Sequence, residues 1–249
     1  MYRNYIFDFY GTLADIHTDE DNPWLWEKMS EIYRAFGAEY GPRELKLAFR
    51  KLERREKGKA GRENTLRENA EPDLTRVFSA LYHEKGVYCE AEKAEMTAVV
   101  FRALSRDYLR LYDGVEELLG ELRRRGKGIY LLSNAQADFT MPEIRMLGID
   151  QYFNGIFLSS EQGCKKPSDL FFRRLLERYG LEPSESIMIG NDETADIAGA
   201  KSVGMDTLYF HTEISPEQDC ISTADYCVMD GDFGKIGKLI LREDNEQEE

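Results

Sequence analysis

Six short apolar and β-branched runs, each closed by a turn signal, recur along the chain: NYIFDFYG at 4–11, GIYLLSN at 128–134, GIFLSS at 155–160, SIMIGND at 186–192, DTLYF at 206–210 and DYCVM at 225–229. From residue 128 onward they alternate with segments of helical period. Val115, Leu118, Leu119 and Leu122 stand at i, i+3, i+4 and i+7 ahead of Gly126, and Leu170, Phe171, Leu175, Leu176 and Tyr179 repeat the pattern ahead of Gly180. Strands alternating with single helices predict right-handed βαβ units and a parallel sheet, with ligands outside the carboxyl ends of its strands.

Residues 17–110 break this rhythm. They read as amphipathic helices around Trp24 to Phe36, Pro42 to Lys57, Pro72 to Lys85 and Glu90 to Leu111, a helical unit inserted after the first strand. Trp24, Trp26, Tyr33 and Phe36 are expected in its core. The arginines from Arg43 to Arg67 interleave with Glu and are expected on a solvated face. The polar link Lys57 to Asp73 is expected to be a loop, and 241–249, ending REDNEQEE, a disordered tail.

Charge narrows the partners. With 33 Lys+Arg against 47 Asp+Glu the net charge is −14, and the longest basic runs, Arg123–Arg125 and Lys165–Lys166, are too short to form a nucleic-acid face. Any anionic substrate must meet a local positive pocket. No apolar run reaches the roughly 18 residues of a membrane span, and MYRNYIFDFYG has no signal-peptide pattern, so a cytoplasmic protein without membrane partners is expected, monomeric or homodimeric. Cys89, Cys164, Cys220 and Cys227 form no CxxC pair and are expected to be reduced and mostly buried, while His17, His83 and His211 are too scattered to form a ligand set.

The candidate chemistry gathers at strand ends. Asp8 stands where the first strand gives way to a Gly turn, Ser133 and Asn134 end the second run, and Lys166 precedes Pro167 after the third. Asp192 and Asp196 lie four apart after the next strand. Each residue alone has an ordinary structural explanation, as turn, cap or solvated side chain, but three acids at neighbouring strand ends would repel without a cation.

That order resembles the haloacid dehalogenase-like (HAD) hydrolase superfamily, in the branch with a helical cap inserted after the first motif. The resemblance covers nearly the whole chain and implies an α/β Rossmann-like core, residues 1–16 and 111–240, with a cap at 17–110. It further implies that Asp8 is a nucleophile, that Ser133 and the Asn134 amide bind the transferred group, that Lys166 holds nucleophile and phosphoryl oxygens together, and that Asp8, the Tyr10 carbonyl, Asp192 and Asp196 hold Mg2+. In motif four Asn191 is five back from Asp196 and Asp192 four back, so either can face the metal; charge favours Asp192.

Phosphatases of this superfamily carry an acid at the place of Tyr10, whereas the dehalogenase branch carries Tyr. The retained acidic pair points to phosphoryl transfer. The expected function is therefore Mg2+-dependent hydrolysis of a small phosphorylated metabolite, with a weakly active or non-catalytic phosphometabolite-binding protein and a 2-haloacid dehalogenase as alternatives.

Overall fold

The structure, a computed structural model, describes residues 2–63, 69–217 and 222–241. The first apolar run becomes β1 (Asn4–Phe7), and a tight turn leads into β2 (Ala14–Thr18). Helices α1 (Pro23–Ala35), α2 (Pro42–Glu63), α3 (Leu74–Glu84) and α4 (Ala91–Ser105) follow, and the chain returns through β3 (Arg106–Leu111). Next come α5 (Val115–Arg124), β4 (Gly128–Ser133), α6 (Ala137–Met146), β5 (Gly155–Leu158), the single turn α7 (Ser159–Gln162), α8 (Asp169–Tyr179) and β6 (Ser186–Gly190). A π-helical turn at Glu193–Ala198 runs into α9 (Gly199–Lys201), then β7 (Asp206–Phe210), β8 (Tyr226–Val228) and α10 (Phe233–Ile240).

Six parallel strands pair in the order β5-β4-β1-β6-β7-β8. Strand order reverses at β1, which opens a crevice at the carboxyl ends of β4, β1 and β6. Because side chains alternate across the sheet, Tyr5, Phe7, Leu131 and Ile189 pack under Leu119 and Leu122 of α5 and Ile236 of α10. Ile6, Leu132 and Met188 face the other way, onto Phe171, Phe172 and Leu175 of α8. Helices on both faces are why these strands read as nearly continuous apolar runs.

The inserted helices build a separate aromatic core from Leu25, Trp26, Met29 and Tyr33 of α1, Phe49 of α2, Phe78 of α3 and Phe101 of α4. Phe139 of α6 enters the same cluster, stacked 6.1 Å from Phe101, so the cap is seated on a helix of the α/β unit. Asn22 caps α1 by accepting from the Trp24 amide, and Asp73 caps α3 through the amides of Thr75 and Arg76.

Several expectations need correction. The last cap helix stops at Ser105 rather than Leu111, because Arg106–Leu111 pairs antiparallel with β2 and Leu109 and Leu111 turn onto the sheet's core. This ribbon straddles both expected joints, 16/17 and 110/111. Trp24 and Phe36 are 47% and 52% exposed, since they fall outside the stripe of Leu25, Trp26, Met29 and Tyr33. Part of the polar link, Lys57 to Glu63, prolongs α2, and Ala70 bridges to Cys164; the rest of the link, 64–68, lies outside the described residues. Cys227 is exposed, Cys89 and Cys164 are buried, and Cys220 lies outside the described residues. Leu241, assigned to the tail, is buried in the main core; Arg242 to Glu249 lie outside the described residues. Among the described residues no helix is long and apolar enough to cross a membrane.

Candidate active site

Asp8 follows β1 directly, and its backbone N–H still donates to Ile189 at 2.9 Å, so the nucleophile candidate is anchored to the sheet. The chain then folds around one carbonyl: Thr12, Leu13 and Ala14 all donate to the Phe9 oxygen, with Gly11 at φ 83°. A side chain at Gly11 would be strained, and its Cβ would fall 2.4 Å from Asn191 Nδ2. The turn thus needs glycine for its conformation and for the close approach of Asn191.

Asp8 Oδ1 accepts from Lys166 Nζ at 2.7 Å and from Ser133 Oγ at 3.1 Å. Lys166 is 3% exposed, and its other two ammonium protons reach Asp196 Oδ1 at 2.6 Å and the Leu132 carbonyl at 2.9 Å. Burial alone would lower the lysine pKa, but Asp196 and Asp8 outweigh it and raise it, so Lys166 is charged. Burial pushes the Asp196 carboxyl above the usual carboxylate range against the pull of Lys166, and the charge of Asp8 adds to the push. Two carboxylates share one ammonium.

The Asn134 carboxamide does not point at the nucleophile. Its Oδ1 accepts from the Lys166 amide at 2.8 Å and its Nδ2 donates to the Lys166 carbonyl at 3.1 Å, which braces the loop that presents the lysine.

Motif four gives its three polar residues different partners. Asp192 is the N-cap of the π turn, with Oδ1 accepting from Thr194 and Ala195 at 2.8 Å each. Ile197 donates back five residues to the Asp192 carbonyl, and this wide turn swings Asp196 inward until its Oδ2 accepts from the Asp192 amide at 3.0 Å. Both Asp196 oxygens are therefore occupied. Gly190 permits this, since a Cβ there would lie 2.2 Å from Asp196 Oδ2. Asn191 is the residue brought beside Asp8: Thr12 Oγ1 lies 3.4 Å from both Asp8 Oδ2 and Asn191 Oδ1.

The described residues hold no cluster of three His, Cys, Asp or Glu side chains arranged for a metal. Asp8 Oδ2 and Asn191 Oδ1, both reached by Thr12 Oγ1, are instead hard oxygens of the kind Mg2+ accepts while it keeps several waters, so the residues fit that ion.

Tyr10 points the other way. Its hydroxyl donates to Glu143 and lies 2.9 Å from Thr140 Oγ1, both on α6. Burial and then the Glu143 charge raise its pKa, so it holds its proton. Glu143 is buried and also accepts from Arg102 Nε and Arg106 Nη1, at 2.8 Å each. A cavity of about 410 Å³ adjoins this network, lined from the core by Tyr10, Asn134, Gln136 and Lys165 and from the cap side by Glu20, Glu53, Lys57, Glu71 and Arg102. Gln136 ties the two walls: it donates to Glu71 and to the Pro72 carbonyl at 2.9 Å each, and accepts from the Leu74 amide at 2.9 Å.

Sequence reasoning assigned no role to Thr12, Gln136, Arg102 or Glu143. The first two sit inside the segments IFDFYGTL and LLSNAQ and were open to notice. Arg102 and Glu143 are 41 residues apart and carry no local signal.

The fold, with helices on both faces of a parallel sheet and an inserted cap, agrees with the comparisons. The model of the haloacid dehalogenase-like hydrolase family matches residues 2–204, and the chain belongs to that family. The phosphoserine phosphatase of Thermus thermophilus is 32% identical over 148 residues, 59% of this chain and 58% of that protein. The ribulose-1,5-bisphosphate 5-phosphatase of Halopiger xanaduensis is 33% identical over 117 residues, 47% of this chain and 48% of that protein. The chain thus spans about half the length of these curated relatives. Among solved structures, the 2-haloacid dehalogenase of Pseudomonas syringae shares the fold at a TM-score of 0.64 and 19% identity, covering 97% of this chain and 99% of that one.

Proposed function

We propose that the chain is a phosphatase that uses Mg2+ to hydrolyse a small phosphorylated metabolite through an aspartyl-phosphate on Asp8. The observation that carries this reading is the asymmetry of one carboxylate. Lys166 and Ser133 fix Asp8 Oδ1, while Oδ2 lies beside Thr12 and Asn191. A carboxylate so aimed attacks phosphorus, the ester oxygen departs, and water then cleaves the acyl phosphate and restores Asp8. The Lys166 ammonium and Ser133 hydroxyl offset charge on the transferring group. Mg2+, held by Asp8, Asn191 and the Tyr10 carbonyl, would supply the further positive charge that an anionic nucleophile needs to meet a phosphate. Two relatives named as phosphatases support the reaction class.

Tyr10 is no proton donor in this scheme, because its proton is held by Glu143. Missing general-acid help costs on the order of 10²- to 10⁴-fold for poor leaving groups. Aryl and acyl phosphates are therefore expected to turn over faster than alkyl phosphates.

The test is phosphate release from aryl, acyl and alkyl phosphates with and without Mg2+, in wild type and Asp8→Asn, with 2-chloropropionate as control. Turnover that requires Mg2+ and falls by roughly 10³-fold or more in the variant is expected. Wild-type activity in Asp8→Asn would overturn the nucleophile. Chloride release without Mg2+ would move the chain to the dehalogenase branch, and saturable binding of one phosphometabolite without turnover would make it a binding protein.

A further inference from the structure

We propose that the substrate carries a second anionic group, a carboxylate or a second phosphate, on its leaving-group side, and that Arg102 of α4 binds it. The inference rests on the phosphatase reading and narrows it to a substrate class.

Arg102 reaches the cavity from the cap and lies over the ring of Tyr10, with 5.2 Å from guanidinium carbon to ring centroid, and over Phe139 at 5.5 Å. Tyr10 is two residues beyond Asp8 and Asn134 follows Ser133, so the cavity that both line adjoins the strand-end site. The side chain is 11% exposed. Its Nε and Nη2 donate to Glu143 at 2.8 and 3.4 Å, and Nη1 has no carboxylate partner among the described residues. Glu143 cannot neutralise it, because Arg106 binds the same carboxylate at 2.8 Å and Tyr10 donates to it as well. One carboxylate thus faces two guanidiniums, leaving one positive charge in excess at the cavity wall.

The acids lining the cavity are engaged with other cations too, and Glu20 is the one whose charge Arg102 also feels. Glu53 pairs with Arg50 at 3.3 Å, and the same guanidinium lies 4.0 Å from Glu20. Glu71 pairs with Lys165 at 3.4 Å and accepts from Gln136. Burial lifts both Glu20 and Glu71 above the usual carboxylate range, against the pull of Arg50 and Lys165. Lys57 also lines the cavity from the cap side, exposed, and its charge acts on Glu71. A guanidinium with free in-plane donors suits a planar carboxylate or a phosphate and offers little to a neutral leaving group.

The experiment compares matched esters. Wild-type kcat/KM is measured for 2-phosphoglycolate against ethyl phosphate, which differ by a carboxylate, and for propane-1,3-diol bisphosphate against propyl phosphate, which differ by a phosphate. At least one pair should favour the member with two anionic groups by roughly tenfold or more, carried by KM, and the favoured pair identifies the group read. In Arg102→Met that ratio should fall towards one, and Arg102→Lys should retain part of it. Wild-type ratios near one in both pairs would overturn the inference while leaving the phosphatase reading intact, and this arm needs no variant to fold. If no ester turns over, the phosphatase reading fails separately, and calorimetry of the same four compounds on wild type with Mg2+ decides the inference: tighter binding of a member with two anionic groups supports it, equal affinities overturn it.

Discussion

At the strand ends one ammonium, that of Lys166, is shared by the carboxylates of Asp8 and Asp196; where the cap meets α6, one carboxylate, that of Glu143, is shared by the guanidiniums of Arg102 and Arg106. Both clusters are buried, and both carry an odd charge. The strand-end cluster has a carboxylate in excess, and the cap junction a cation in excess. Their construction differs as well. Lys166 uses all three protons on fixed partners hung from adjacent strands, whereas Arg102 keeps one nitrogen without a carboxylate partner at the cavity. A closed cluster holds a reactive group still, and an open one can receive a ligand. The proposed Mg2+ and the proposed second anion are the ions these opposite surpluses would attract.

The sharpest way to break the comparison is Lys166→Met. It leaves Asp8 and Asp196 buried without a counter-charge and is expected to cost about 3–5 kcal/mol of stability, read from denaturant unfolding. Asp196→Asn in the same chain should recover part of that loss. An unchanged midpoint would mean that the two carboxylates do not depend on the lysine.

Glu143→Gln probes the opposite cluster. The carboxamide keeps some acceptor capacity and Arg102 lines the cavity, so a smaller loss is expected, about 1–3 kcal/mol. A loss as large as that of Lys166→Met would show the cap junction to be as closed as the strand ends.

Motif four separates metal from architecture. Asn191→Ala should raise the Mg2+ concentration for half-maximal activity by roughly tenfold, because an oxygen ligand is lost. Asp192→Ala should leave that concentration nearly unchanged and cost about 1 kcal/mol through the missing helix cap. The reverse outcome would restore Asp192 as the metal's partner.

The smallest effect is a pH dependence. The Tyr10 phenol ordinarily titrates near pH 10, and burial beside Glu143 raises that value in the folded state. The folded chain therefore keeps a proton that the unfolded chain loses. The resulting stability is complete below about pH 10 and is lost as pH climbs from there through the raised folded value. Tyr10→Phe lacks this contribution, so its melting-temperature deficit against wild type should shrink above pH 10. Parallel curves from pH 7 to 11 would show that the phenol does not titrate differently on folding.

The strands and three strand-end residues were legible in the sequence because each is a local statement. An apolar run closed by a turn fixes where a strand stops, and in a parallel sheet the stops of neighbouring strands share one edge. Asp8, Ser133 and Lys166 meet for that reason. The cap's existence was legible too, as a stretch whose period changes from that of alternating strands and helices. Its joints were not: Arg106–Leu111 continues a helical pattern in composition, and only pairing with Ala14–Thr18 makes it a strand. Spacing also left Asn191 and Asp192 undecided, since four-back and five-back registers differ by one residue. The π turn gives the two different partners, Asp192 Oδ1 the helix amides and Asn191 Oδ1 the Thr12 hydroxyl that also reaches Asp8. The Arg102, Arg106 and Glu143 cluster belongs wholly to tertiary structure. It forms because Phe139 seats the cap on α6, and a contact between two helices 41 residues apart leaves no periodicity for a single sequence to display.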